Sequence, residues 1–304
     1  MNAESFPIHR EISGPFAGVV MFRLEQPGKP VVVLDHDLFR RLEATLKALP
    51  RDATGLVIAS ASERVFVAGA DLKSISDLDN AALDNYLAYG SAVFGMIAEL
   101  PYPTAAAING AALGGGLELA MHCDGLIASP PASKDGQPGR PYPVGLPEAG
   151  LAICPGWGGT NLLPARMQPM EAIRRTASGQ TMAFDEAVSA RLFDRVAASA
   201  GELISTAQAW VMEQRPRGRG ERNGAPWRWI GRGPVAANVL AALDEVRGDL
   251  PTTAAASAVA DAVDVGLARG WMAALECERR HLIRLRHTPE ARAALEAFFS
   301  KSKR

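Results

Sequence analysis

The spacing of apolar residues changes rhythm several times along the first 130 residues. Val19 to Leu24 is a short β-rich run and Val31 to Leu34 is a second, with Glu25 to Pro30 between them as a hairpin or sharp strand connection. From His36 to Leu49 the period becomes helical: Leu38, Phe39, Leu42, Leu46 and Leu49 recur with charges between them. Gly55 to Ser60 returns to strand, and Asp79 to Leu100 reads as a long amphipathic helix with a core-facing stripe. Thr104 to Ile108, bounded by Pro103 and by Asn109-Gly110, suits a buried strand ending in a turn, and Leu117 to His122 resumes a helix. Such alternation predicts an α/β fold. Farther on, Glu171 to Ala200 has a helical pattern broken at Gly179, with Asp185-Glu186 near a helix start. Pro251 to Arg286 is an alanine-rich helical region, and Glu290 to Phe299 a last amphipathic helix. The expected division is a core over residues 1–200 and a helical C-terminal region over 201–304, with a linker at 213–234.

Composition narrows the class without naming a chemistry. A chain of 304 residues can bury a large core, and 48% hydrophobic with 21% charged residues is ordinary for a globular protein. A formal net charge of -1 makes no electrostatic case for nucleic acid or an anionic membrane. Cys123, Cys154 and Cys277 are odd in number and widely spaced, so they form neither a disulfide framework nor a CxxC metal site. The N-terminus has no signal-peptide core and no run approaches a membrane span, which gives the expectation of a soluble, cytoplasmic protein.

Candidate chemistry concentrates in three glycine-rich stretches. In the first, Gly114, Gly115 and Gly116 open the helix that carries Glu118. Glycines at a helix start leave backbone N–H groups uncovered for a ligand oxygen, and the helix dipole favours negative charge there. A first-turn carboxylate beside such donors suits proton transfer next to a developing oxyanion. Taken alone the same residues also make a tight turn with close helix–strand packing and a solvated acid. In the second stretch, Val65-Phe66-Val67 runs into Ala68-Gly69-Ala70, Asp71, Leu72 and Lys73. Its small residues admit a ligand and Lys73 could meet a phosphate; equally, it is a strand-to-helix turn with Asp71 as cap. The third stretch, Val144 to Thr160, sets Glu148 after Pro147 and closes on Pro155-Gly156-Trp157-Gly158-Gly159, which is neither a dinucleotide fingerprint nor a P-loop. Cys154 and the run His122-Cys123-Asp124 read as structural. The segment from Gln214 to Pro234 holds six arginines with Trp227 and Trp229, and reads as a solvated linker with docked tryptophans or as an RNA- or phosphate-binding patch.

Together, AGADLK, AALGGGLELA and LPEAGL followed by PGWGGT resemble the crotonase (enoyl-CoA hydratase/isomerase) family in order and spacing over about residues 15–200. The C-terminal stretches NGAPWRWIGRG and HTPEARAALEAFFSKSK resemble the tail of hydratase domains in multifunctional fatty-acid oxidation proteins, and no dehydrogenase domain is expected before Arg304. The resemblance implies a crotonase-type ββα spiral core with a C-terminal helical region. It also implies an oxyanion hole from the N–H groups of Ala70 and Gly115, and contacts to the coenzyme A moiety along Ala68 to Lys73, including Asp71 and Leu72. Glu118 and Glu148 take the place of two catalytic glutamates, and Gly156 that of a backbone donor to the catalytic water. The implied reaction is hydration of a 2-enoyl-CoA thioester, with no metal and no redox cofactor, and with coenzyme A arriving as part of the substrate. The implied assembly is a homotrimer or hexamer, with a separate dehydrogenase subunit as a possible partner. An enoyl-CoA isomerase and a non-catalytic acyl-CoA-binding subunit are the alternatives. Three features depart from the family pattern: Leu34-Asp35-His36-Asp37 in place of the usual turn, the long Pro130 to Pro143 loop, and the bulk of Trp157.

Overall fold

The computed structural model describes residues 3–29, 31–133, 137, 139–214 and 224–302. Two compact units emerge, neither of them one continuous stretch: Met1–Gly69, Ala92–Val144 and Met182–Trp227 form one, and Ala70–Ser91, Gly145–Thr181 and Arg228–Arg304 the other.

The first unit is built on strands β1 (His9–Arg10), β2 (Val19–Leu24), β3 (Gly55–Ser60), β4 (Val65–Val67), β5 (Thr104–Ile108), β6 (Ala111–Leu113), β7 (Gly125–Ala128), β8 (Pro143–Gly145), β9 (Met182–Ala183) and β10 (Arg195–Val196). Six of them form one sheet in the order β1-β2-β3-β5-β7-β10, parallel except for the antiparallel edge strand β1. Every residue of β3, β5 and β7 is buried, as expected of parallel strands covered on both faces, and this is why they read as unbroken apolar runs. A second sheet has the order β4-β6-β8-β9.

Helix α1 (His36–Ala48) starts where Asp35 accepts a hydrogen bond from the Leu38 N–H at 2.8 Å, and it buries Leu38, Phe39, Leu42 and Leu46. The expected strand Val31–Leu34 does not form. Val32 and Leu34 make single backbone bonds to Ala68 and Gly69, and the chain then turns straight into the Asp35 cap, too soon for a ladder. The helix α8 named below covers one face of the large sheet through Leu203, Ala207, Trp210 and Val211, packed on Val19, Val57, Ala105 and Ile127. Gly125 leaves the space that the Trp210 ring fills: a Cβ there would sit 2.5 Å from the indole.

In chain order the helices after α1 are α2 (Leu72–Asp77), α3 (Asn80–Ala98), α4 (Gly115–His122), α5 (Gly159–Leu162), α6 (Pro169–Ser178), α7 (Phe184–Ser189), α8 (Leu203–Glu213), α9 (Val235–Val246), α10 (Ala254–Arg269), α11 (Trp271–Leu285) and α12 (Pro289–Ser302). The helical pattern expected over Glu171–Ala200 overruns the structure. Gly179, at φ 69°, ends α6 as expected, but α7 stops at Ser189 and Arg195–Val196 pairs with β7 instead. Pro251–Arg286 is helical as expected but divided at Gly270, φ 88°. In the second unit, α10 lays its alanines against Ile153, Cys154, Ala177, Leu285 and Ala291. The Arg286 guanidinium, from the end of α11, donates to the carbonyls of Ile75 and Leu78 at the C-terminus of α2, each at 2.6 Å, where the helix dipole favours a cation. No described helix is long and apolar enough to cross a membrane. Residues 215–223 of the arginine-rich segment, and 134–136 and 138 of the Pro/Gly-rich loop, lie outside the described residues; Trp229 is buried edge-on against Trp271.

Candidate active site

In the first unit, strand β4 ends and helix α4 begins at close quarters. Gly114 takes φ 52°, ψ -127°, a backbone that side chains disfavour, and it leaves α4 with no side-chain cap. The Leu117 and Glu118 N–H groups both turn to the Gly114 carbonyl, at 2.9 and 3.0 Å, which leaves the Gly115 amide ahead of those bonds. Gly116 has no room for a side chain: a Cβ would press on the Val67 carbonyl and come within 2.8 Å of the Val67 Cβ. The tight-packing and open-amide readings of Gly114–Gly116 thus apply to different glycines. Glu118 is 1% exposed in the first turn of α4. One turn on, His122 Nδ1–H donates to the Glu118 carbonyl at 2.8 Å while its ring packs on Phe94, so His122 is structural. Asp124 accepts from the Thr104 amide at 3.0 Å and is structural too. Ala68 and Gly69 are held by backbone bonds to Val32 and Leu34.

In the second unit, Asp71 caps α2, accepting from the Lys73 N–H at 3.2 Å and from Ser74 Oγ at 2.6 Å; Leu72 opens the helix and Lys73 is exposed. Asp71 is therefore committed to local structure whatever the loop binds. Glu148 begins a 3-10 turn, Glu148–Leu151, directly after Pro147. Its stem is partly accessible, but its carboxylate Oε2 is buried and has no hydrogen-bond partner among the described residues. Burial raises its pKa to about 8; its own backbone N–H works in the opposite direction, and the charge of Glu278 adds to the rise. Gly156 faces the side-chain tips of Leu87 and Leu282. The neighbouring Trp157 is 2% exposed, donates from Nε1 to the Leu87 carbonyl at 3.0 Å, and stands edge-on to Tyr86. Its bulk is thus a fixed wall beside Gly156.

Glu278 is the residue that reading from the sequence missed. It projects from α11 in the second unit and is fully buried. Its Oε2 accepts from the Gly158 N–H at 2.5 Å, and Oε1 accepts from the Thr160 N–H at 2.9 Å and from Thr160 Oγ1 at 2.5 Å. Burial raises its pKa to about 7 against the opposing effect of those donors. A signal was available: Trp271, Ala274, Leu275, Glu278, Leu282 and Leu285 form one helical stripe, apolar except for a single carboxylate. Elsewhere on α11, Cys277 Sγ–H donates to Asp261 at 3.3 Å and His281 bonds the same carboxylate oxygen at 2.6 Å, while Arg284 donates to His281 Nδ1. That pattern puts the imidazole proton on Nε2, and burial first, with the bond to Asp261 second, pushes the Cys277 thiol pKa up.

Residues 16–216 match the family model for enoyl-CoA hydratase/isomerase, and the chain belongs to that family. The chain is 32% identical over 253 residues to the fatty acid oxidation complex subunit alpha of Aliivibrio fischeri, an alignment covering 81% of this chain and 35% of that protein. It therefore spans about a third of that relative's length. Among solved structures, an enoyl-CoA hydratase from Bacillus anthracis matches with TM-score 0.58 at 25% identity over 97% of this chain and 96% of that one. The human mitochondrial delta3-delta2-enoyl-CoA isomerase matches with TM-score 0.65 at 18% identity over 94% of each chain, a likeness of fold alone. The α/β architecture with its C-terminal helices is the crotonase fold expected from the three motifs.

Proposed function

We propose that this protein is an enoyl-CoA hydratase that adds water across the double bond of a 2-enoyl-CoA thioester. The observation that carries the reading is Glu148: a buried carboxylate with an unpartnered oxygen and a raised pKa is suited to deliver a proton near neutral pH. Glu118, in the first turn of a helix with an uncapped start, is assigned to bind water and take its proton. As water oxygen bonds to the β-carbon, the π electrons move onto the thioester oxygen. The N–H groups of Ala70 and Gly115 are assigned to that charge, each contributing about 3 kcal/mol as in other oxyanion holes. The enolate then collapses, the α-carbon takes the proton from Glu148, and exchange with solvent returns a proton to Glu148 from the pool that Glu118 releases. Gly156 N–H is assigned to the water, and the Ala68–Lys73 loop to the coenzyme A portion. Acid/base chemistry completes this reaction, so the proposal calls for no metal or redox group. The name of the Aliivibrio fischeri relative favours acyl-CoA of fatty acid oxidation as the substrate class. Assembly as a trimer or a dimer of trimers, cytoplasmic residence and a separate dehydrogenase partner belong to the same proposal; sedimentation of the purified protein tests the first.

The deciding assay follows the ultraviolet absorbance of the conjugated thioester with crotonyl-CoA and a longer enoyl-CoA. Wild type is expected to consume it, and Glu118→Gln and Glu148→Gln to be slower by about 100-fold or more. Loss of activity in Glu148→Gln alone, together with faster turnover of a 3-enoyl-CoA, would replace the hydratase with an isomerase. Binding without turnover of any substrate would leave an acyl-CoA-binding subunit.

A further inference from the structure

Glu278 lies outside every motif of the family resemblance, yet it holds the turn on which one of those motifs ends. Its two oxygens take three donors from Gly158 and Thr160, two and four residues beyond Gly156. Trp271, at the start of the same helix, packs over Gly158. α11 therefore fixes the Gly156–Thr160 turn by both a carboxylate and a ring. Glu148, in the same unit, is the second buried carboxylate, and after burial the charge of Glu278 adds to the rise of its pKa. They differ in what surrounds them: Glu278 is saturated with donors, whereas Glu148 Oε2 has none among the described residues.

Other charged groups lie on the elements packed against these two, and several of them are engaged. The 3-10 turn of Glu148 packs against α6, which carries Glu171, Arg174 and Arg175, and against α12, which carries Glu290, Arg292 and Glu296. Arg175 is bonded to Glu171 and Arg174 to Asp249. α10, packed on α11, carries Asp261, bonded to His281, and Asp264, bonded to Arg247. α5 carries no charge.

We propose that Glu278 is a positioning residue for the reaction, fixing the turn that carries Gly156 and adding its charge to the burial that keeps a proton on Glu148. The three donors stabilise the ionised form of Glu278, and that charge disfavours ionisation of Glu148. Glu148 thus enters the cycle as the acid. This role rests on the hydratase reading, but the location of the proton does not, and the two can be tested apart.

The test is an infrared titration from about pH 5 to about pH 10, in which subtraction of Glu148→Gln spectra isolates the protonated carboxyl band of Glu148. In wild type the band persists above neutrality. In Glu278→Gln, of similar shape but uncharged, its midpoint moves down, and the kcat profile for enoyl-CoA hydration moves with it. Thr160→Val removes one donor from Glu278 while leaving Glu148 untouched. It is expected to weaken the Glu148 band at neutral pH, and it serves as the second probe if Glu278→Gln does not fold. An unmoved midpoint in the folded variants, even with a lower kcat, would reduce Glu278 to a structural brace and overturn the proposal. A wild type with no hydratase activity would defeat the functional reading while the infrared arm still located the proton.

Discussion

Two helix starts in this protein are spelled almost alike and are finished in opposite ways. Gly114-Gly115-Gly116 opens α4, and Gly156-Trp157-Gly158-Gly159 opens α5. Neither has a cap from the residue at its own N-terminal boundary. At α4 the lack stands, with only Leu117 and Glu118 amides turned back onto Gly114. At α5 a carboxylate from α11, about 120 residues on, occupies the amides of Gly158 and Thr160. A row of glycines before a helix therefore announces available N–H donors without saying whether the protein has already used them. The second is a braced turn; the first carries Gly115, the proposed oxyanion donor.

The largest effect expected of this contrast is on stability. Glu278→Ala strands the Gly158 N–H, the Thr160 N–H and the Thr160 hydroxyl in a buried site, and should cost about 3 kcal/mol. Urea denaturation of the two proteins measures it. A cost below about 1 kcal/mol would mean that water satisfies the turn as well as Glu278 does, and the contrast would collapse. Next comes Gly116→Ala. Its methyl would meet backbone, the Val67 carbonyl, which cannot rotate away, so a loss of about 2–3 kcal/mol is expected in the same assay.

These two residues also mark what was legible in the sequence. The strands Gly55–Ser60 and Thr104–Ile108 match the structure residue for residue because buried parallel strands are continuous apolar runs closed by turn residues. α1 was legible through its stripe, whereas its Asp35 cap emerged only in the structure. Val31–Leu34 misled because β-rich composition is local, whereas a ladder needs a partner of matching length. Glu171–Ala200 was legible at its Gly179 break and at the Asp185-Glu186 helix start, and misled only beyond Ser189, where Arg195–Val196 joins the sheet. At the candidate site, short motifs singled out Glu118, Glu148 and Gly156. Glu278 was missed because its importance lies in partners on a distant turn, and a single acid in an apolar stripe is easily taken for a solvated one.

The buried pair sharpens the comparison through pH. Glu148 and Glu278 both have folded-state pKa values above the ordinary 4.5, at about 8 and about 7. Between those values and 4.5 the folded chain binds more protons than the unfolded one, so stability falls as pH rises. The contribution is intact below about pH 4.5 and is lost by about pH 8. Glu148→Gln, which cannot ionise, should flatten that part of the profile by on the order of 1–2 kcal/mol relative to wild type. Urea midpoints at the two ends of the window read the difference. A parallel pair of profiles would show that Glu148 ionises as freely in the folded state as in the unfolded one.

The smallest effect is expected at Gly156, and it separates the two glycine-rich starts most finely. A Cβ there meets Leu87 Cδ2 at 3.1 Å and Leu282 Cδ1 at 3.2 Å, both ends of flexible side chains, where Gly116 would meet a carbonyl. Gly156 does not have a positive φ, so alanine can adopt its backbone without strain. Alanine also restricts the unfolded chain, a gain of about 0.4–1 kcal/mol that offsets the crowding. Gly156→Ala should therefore lie within about 0.5 kcal/mol of wild type, several-fold less than Gly116→Ala. Equal costs at the two positions would mean that the turn braced by Glu278 is as unyielding as backbone. In that case the leucines lining Gly156, and not the carboxylate alone, hold the proposed water donor in place.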